Sequence, residues 1–175
     1  MAAPIIDAET LRAMQAPLKQ QYRDAPQAAF ITLKAEGHVD DQAIACRVDT
    51  ARAVAVAGLH PATGGSGMEL CSGDMLLEAL VACAGVTLKA VSTAIGVNLK
   101  DAKVVAEGDL DFRGTLGVAK DAPVGFAAIR LRFEIDTDAT EEQVAQLIKL
   151  TERYCVVFQT IAAKPQLDVS VKRAG

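Results

Sequence analysis

Apolar and polar positions divide this chain into elements before any other property is considered. Residues about 8–23 are helix-prone and charged, with Pro17 as a kink or boundary, and Asp24-Ala25-Pro26 stops the pattern. Ala28–Ala35, Ala43–Val48 and Arg52–Gly58 read as short strands, split by turn signals at Gly37–Asp41 and Asp49-Thr50. The glycine-rich stretch His60–Gly67 leads through Cys71-Ser72-Gly73-Asp74 into a segment, about 74–95, with apolar residues on every side. A helix of that kind is buried all round, at a domain centre or between subunits. Ser72 is its expected N-cap, and Asp74 complements the positive end of its dipole.

Val104–Phe112 and Ala127–Ile135 alternate as strands do, with Arg130 and Arg132 on one face and Leu131 and Phe133 on the other. Gly114–Val124 connects them. Thr140-Glu141-Glu142-Gln143 fits a capping box, after which Val144, Leu147, Ile148 and Thr151 mark one helical face that Cys155 continues. Pro165 ends the helical region, and Leu167–Val171 reads as a last strand. The order predicts an α+β fold with an antiparallel sheet curled around helices. Residues 1–26 form an N-terminal helical extension and 27–175 a single domain.

Composition narrows the function. At 175 residues the chain buries roughly 70% of its unfolded surface as one domain. Apolar residues make up 51% but aromatic residues only 4%, so the core is aliphatic. A mean hydropathy of +0.23 points to extra buried surface, most simply a homodimer. The net charge of −4 argues against nucleic acid, which calls for a basic face. The N-terminus lacks the pattern of a secretory signal, and the longest apolar run, containing Glu78, reads as too short to span a bilayer. These readings predict no membrane partner and a cytoplasmic protein whose thiols are kept reduced.

Chemistry concentrates on cysteine. Four cysteines (Cys46, Cys71, Cys83, Cys155) without a close repeat do not form a disulfide framework. A lone apolar-helix cysteine such as Cys83 is ordinarily a small buried hydrophobe, and burial raises a thiol pKa. A reactive Cys83 therefore needs a cation or a hydrogen-bond donor to hold the thiolate. Cys155, with Glu152 and Arg153 nearby, supplies a second inward thiol, so that one can attack and the other resolve. Gly64-Gly65-Ser66-Gly67 lacks the context of a phosphate loop and reads as a turn. His38 and His60 read as surface residues, the acidic Glu107–Asp111 as a solvated strand face, and no metal site is expected.

The segment Ser72–Leu88, centred on Cys83, resembles the central-helix signature of the OsmC/Ohr family, and Glu152–Ile161 resembles its second-cysteine motif. The resemblance spans roughly residues 28–172. It implies an OsmC-like fold: an intertwined homodimer, antiparallel sheets wrapped around central helices, and sites at the subunit interface. It implies a thiol-dependent peroxidase acting on organic hydroperoxides, with Cys83 peroxidatic, Cys155 resolving, no bound cofactor and an external dithiol reductant. The sequence departs from the family pattern at Gly73, where a Glu is usual and Asp74 is the nearest acid, and at Val156, where Pro is usual. The activating arginine has two candidates, Arg52 and Arg47. The alternative reading is an OsmC-fold protein with structural cysteines that binds a small hydrophobic or thiol ligand without turnover.

Overall fold

The computed structural model describes residues 8–39, 46–48, 57–68 and 70–173. The chain opens with helix α1 (Ala8–Asp24), which carries Pro17 inside it rather than ending there. A single 3₁₀ turn, Pro26–Ala29, leads into β1 (Phe30–Val39). Short β2 (Cys46–Val48) and β3 (Ala57–Gly58) follow, then a second 3₁₀ turn at Pro61–Thr63 and β4 (Leu70–Cys71). The long α2 (Ser72–Ile95) precedes β5 (Leu99–Asp111), the one-turn α3 (Phe112–Thr115) and β6 (Phe126–Thr137). Helices α4 (Glu141–Tyr154) and α5 (Val156–Ala163) meet at Cys155.

The sheet is antiparallel in the order β2-β1-β5-β6, and β3 and β4 form a separate parallel pair. Central β5 pairs with β1 from Phe30↔Asp111 to His38↔Lys103, and with β6 from Leu99↔Thr137 to Leu110↔Phe126. The alternation expected in β6 holds: Arg130 and Arg132 are exposed while Leu131 and Phe133 are half-buried. The expected turn at Gly37–Val39 is instead strand, because these residues pair with Val48, Arg47 and Cys46. The rest of that turn, Asp40 and Asp41, lies outside the described residues.

Helix α2 lies across the sheet and organises two aliphatic clusters. Leu77, Leu80, Val81 and Ala84 pack with Val104, Ala106, Phe112 and Cys155. One further turn along, Leu88 and Val91 pack with Val97, Ala102 and Leu147 of α4. Burying each of these Leu and Val side chains contributes about 2 kcal/mol, and this packing holds the helix on the sheet. Within the single chain this burial covers only part of the helix surface. Leu76, Ala79 and Val86 lie on an exposed face. At 24 residues α2 is also long and apolar enough to cross a membrane by length and composition, contrary to the sequence reading. Its packing against β1, β5 and α4 is that of a core helix.

Local signals fared unevenly. The capping box forms as expected: Gln143 N–H donates to Thr140 Oγ1 and Thr140 N–H to Gln143 Oε1. Ser72, by contrast, is inside the helix, and Cys71 occupies the capping position without a side-chain bond. Glu107–Asp111 is not uniformly solvated, since Asp111 is buried and held by the Arg113 guanidinium and amide. Leu167–Val171 makes no strand, and Leu167, Val169 and Val171 are 86%, 88% and 85% exposed. The alternation is there, but the segment pairs with none of the described strands.

Candidate active site

Cys83 lies midway along α2, half-buried, and Cys155 is 1% exposed where α4 hands over to α5. Both are free thiols, as is Cys71. The side chains of Cys83 and Cys155 share a hydrogen bond, so the structure brings together the two sulfurs singled out in the sequence.

The sequence explains how α4 and α5 produce this contact. The α4 face of Leu147 and Thr151 is fully buried, and Thr151 Oγ1 satisfies the Leu147 carbonyl within the helix. Cys155 then leaves helical geometry at φ −70°, ψ 106° while its N–H still donates to the Thr151 carbonyl. A helix start exposes amides with no intrahelical acceptor. Here the first three amides of α5 turn to sulfur. Val156 and Val157 N–H face Cys83 Sγ, and Phe158 N–H donates to Cys155 Sγ at 3.5 Å.

The electrostatics of the two sulfurs diverge as a result. Burial pushes the Cys83 thiol up, but the Val157 amide, Cys155, the Thr87 hydroxyl and the Val156 amide together outweigh it. Cys83 therefore ionises below the ordinary thiol range. Cys155 is more deeply enclosed and is pushed up to about 11 by burial, its loss of a proton further opposed by Cys83. Ionisation is thereby easier at Cys83 than at Cys155, the proton donor of the pair.

The remaining expected participants are not all among the described residues. Arg52 lies outside the described residues, as does the side chain of Arg47, whose backbone pairs with His38 in β2. Asp74 is nine residues before Cys83, about 14 Å along the helix axis. It sits in the field of His60, with its carboxyl raised by burial. His60 is not a surface residue: it is half-buried, and its ring stacks on Phe112 with centroids 4.8 Å apart. Residues missed in the sequence are Thr87 and the α5 amides. Thr87 was findable, since i+4 from Cys83 places it on the same helical face. The amides leave no trace in residue identity.

An apolar cavity of about 100 Å³ is lined by Leu80, Ile129, Leu131, Phe158, Ile161 and Ala162, with neither cysteine in its wall. Leu80 is one turn before Cys83, and Phe158 is the donor to Cys155.

Two neighbouring thiols, their pKa values shifted in opposite directions, are packed between helices inside an α+β fold. The profile of the family described as OsmC-like protein matches residues 64–170, more than half of the chain. The chain belongs to the OsmC-like family. Among solved structures it is similar to an OsmC-like hydroperoxide resistance protein from Jannaschia sp. CCS1, at 14% identity and a TM-score of 0.58. That similarity covers 84% of this chain and 94% of the other, and it is a likeness of fold. No curated protein sequence matches the chain.

Proposed function

We propose that the protein is a cysteine-based peroxidase that reduces organic hydroperoxides. The observation that carries this reading is the contact of Cys83 with Cys155 where α5 begins against α2, with amide donors that favour ionisation of Cys83. The Cys83 thiolate attacks the distal peroxide oxygen, the O–O bond breaks, and the alkoxide leaves and takes a proton to become an alcohol. Cys83 is thereby oxidised to a sulfenic acid. The Cys155 sulfur attacks Cys83 Sγ, forming the disulfide and releasing water. A small-molecule or protein dithiol then exchanges with that disulfide, returning both thiols and itself becoming oxidised. The amides of Val156 and Val157 stabilise the attacking thiolate, and the apolar cavity favours an alkyl or aryl group over a hydrated one.

The reading includes a homodimer in the cytoplasm. Its support is the exposed apolar face of α2 and the exposed alternating Leu167–Val171, both suited to a second copy of the chain. The test is consumption of cumene hydroperoxide and t-butyl hydroperoxide with a dithiol reductant. Wild type should turn over both, and Cys83→Ser should fall to background. Peptide mapping after peroxide alone should find Cys83 joined to Cys155, with Cys71 and Cys46 free. Inactivity of the wild type toward every alkyl peroxide, or a pairing through Cys71, rejects the mechanism.

A further inference from the structure

A chamber of about 400 Å³ opens at the N-terminal end of α2. It is distinct from the thiol pair within the protomer, since Cys71 on its wall and Cys83 are twelve residues apart, about 18 Å along the helix. Leu76, Leu110, Phe112 and Phe126 give it an apolar interior, and His60, Thr63, Cys71 and Ser72 supply its polar groups. A pocket of this size with a few convergent polar groups is the usual form of a small-molecule site.

The wall carrying His60 is tightly built. The His60 carbonyl accepts from Thr63 N–H at 2.8 Å, Gly65 N–H at 3.1 Å and Thr63 Oγ1 at 2.9 Å. Gly64 closes the turn at φ 92°, and a Cβ on Gly65 would lie 1.7 Å from the Leu59 carbonyl oxygen. This is what the Gly64-Gly65 pair is for, in place of a phosphate cradle. From outside, buried Tyr22 of α1 donates its hydroxyl to the Ala62 carbonyl at 2.7 Å. The His60–Thr63 turn and α1 both lie ahead of residues 64–170, the segment that the family profile matches.

The turn also fixes what His60 offers. Its Nδ1 accepts the Ala62 N–H at 3.0 Å, so the neutral ring carries its proton on Nε2 and is a donor. Burial lowers the His60 pKa and favours that neutral form, although Asp74 opposes it. Asp74 and Glu78, both raised by burial, place acidic groups at the same helix end. Neither lines the chamber, and among the described lining residues there is no carboxylate, ammonium or guanidinium, so an ion of either sign would lose its water there without gaining a counter-charge.

The geometry points to a binding site in this chamber for a compact, uncharged, largely apolar molecule bearing one hydrogen-bond acceptor, addressed by His60. The site does not depend on the peroxidase reading. Four probes of matched heavy-atom count separate the alternatives: acetophenone, cumene, benzoate and α-methylbenzylammonium, titrated into the full chain by calorimetry at neutral pH. Acetophenone should bind saturably, at least tenfold tighter than either ion and several-fold tighter than cumene. His60→Phe keeps a ring against Phe112 without the donor, and should reduce acetophenone to the level of cumene. Val124→Trp, at a chamber-lining position off α2 that is 67% exposed, should fill the chamber and remove binding of both. Cys83→Ser should change neither. The proposal is overturned if a charged probe matches acetophenone, if no probe saturates the folded protein, if the Val124 variant binds as wild type, or if Cys83→Ser abolishes binding.

Discussion

The middle of α2 and its N-terminal end solve the same problem by different means. Each must place a polar function in an apolar setting. At Cys83 two of the four donors are backbone: the amides of Val156 and Val157, supplied because a new helix begins against the sulfur. At His60 the function is a side chain, held by a turn of three donors on one carbonyl and braced by Tyr22. A site made of amides tolerates almost any residue at those positions, whereas a site made from a turn demands particular ones, as Gly65 illustrates. Mutation should therefore disable the first through its sulfurs and the second through its scaffold.

The largest effect is expected at Cys155. Cys155→Ser removes the resolving sulfur but leaves the Val156 and Val157 amides on Cys83. One equivalent of alkyl peroxide should still be consumed, after which turnover with a dithiol stalls near background and a sulfenic-acid probe labels Cys83. Chamber binding should be unaffected. If full turnover persists, the dithiol reductant resolves Cys83 directly and the pairing of the two sulfurs is structural.

Much of this was legible in the sequence because it rests on side-chain period and caps. The alternation of β6, the Thr140–Gln143 box and the inward placement of Leu147 and Thr151 all follow from local chemistry. The contact of Cys83 with Cys155 was legible as a pair of inward thiols and as a resemblance. What carries their ionisation was not, because an amide donor is the same in every residue except proline. His60 was misread for a related reason. Its neighbours Phe112 and Tyr22 are about 50 and 40 positions away, beyond any local pattern. Burial of α2 is met only in part by its own chain, because apolar composition reports that a face must be covered without reporting whether its own chain covers it.

Tyr22→Phe tests the scaffold side of the comparison with a smaller effect. It keeps the buried ring and deletes one hydrogen bond, leaving the Ala62 carbonyl without that donor. Stability should fall by about 1 kcal/mol, read as a lower urea midpoint at unchanged slope. Peroxide turnover should hold, because the thiol pair is built on α2, α4 and α5. A matching loss of turnover would mean that the two ends of α2 are coupled.

The finest test is of the amides themselves. Val156 is 70% exposed at the first position of α5, where proline fits a helix, and Cys155 before it is already extended at ψ 106°. Val156→Pro therefore deletes one donor to Cys83 with little cost to packing. A thiolate that loses a donor is harder to form, so the Cys83 midpoint must move upward, toward the ordinary thiol value. One neutral hydrogen bond corresponds to about half to one pH unit. On the acid side of the midpoint, alkylation and peroxide consumption should both slow by about three- to tenfold, and both should recover as pH rises above it. Cys155, titrating at about 11, should stay protonated through that range. Thr87→Val should produce a shift of the same sign through the side-chain donor. A midpoint that stays fixed in both variants would assign the ionisation of Cys83 to its thiol neighbour alone, and the contrast between an amide-built site and a turn-built one would be lost.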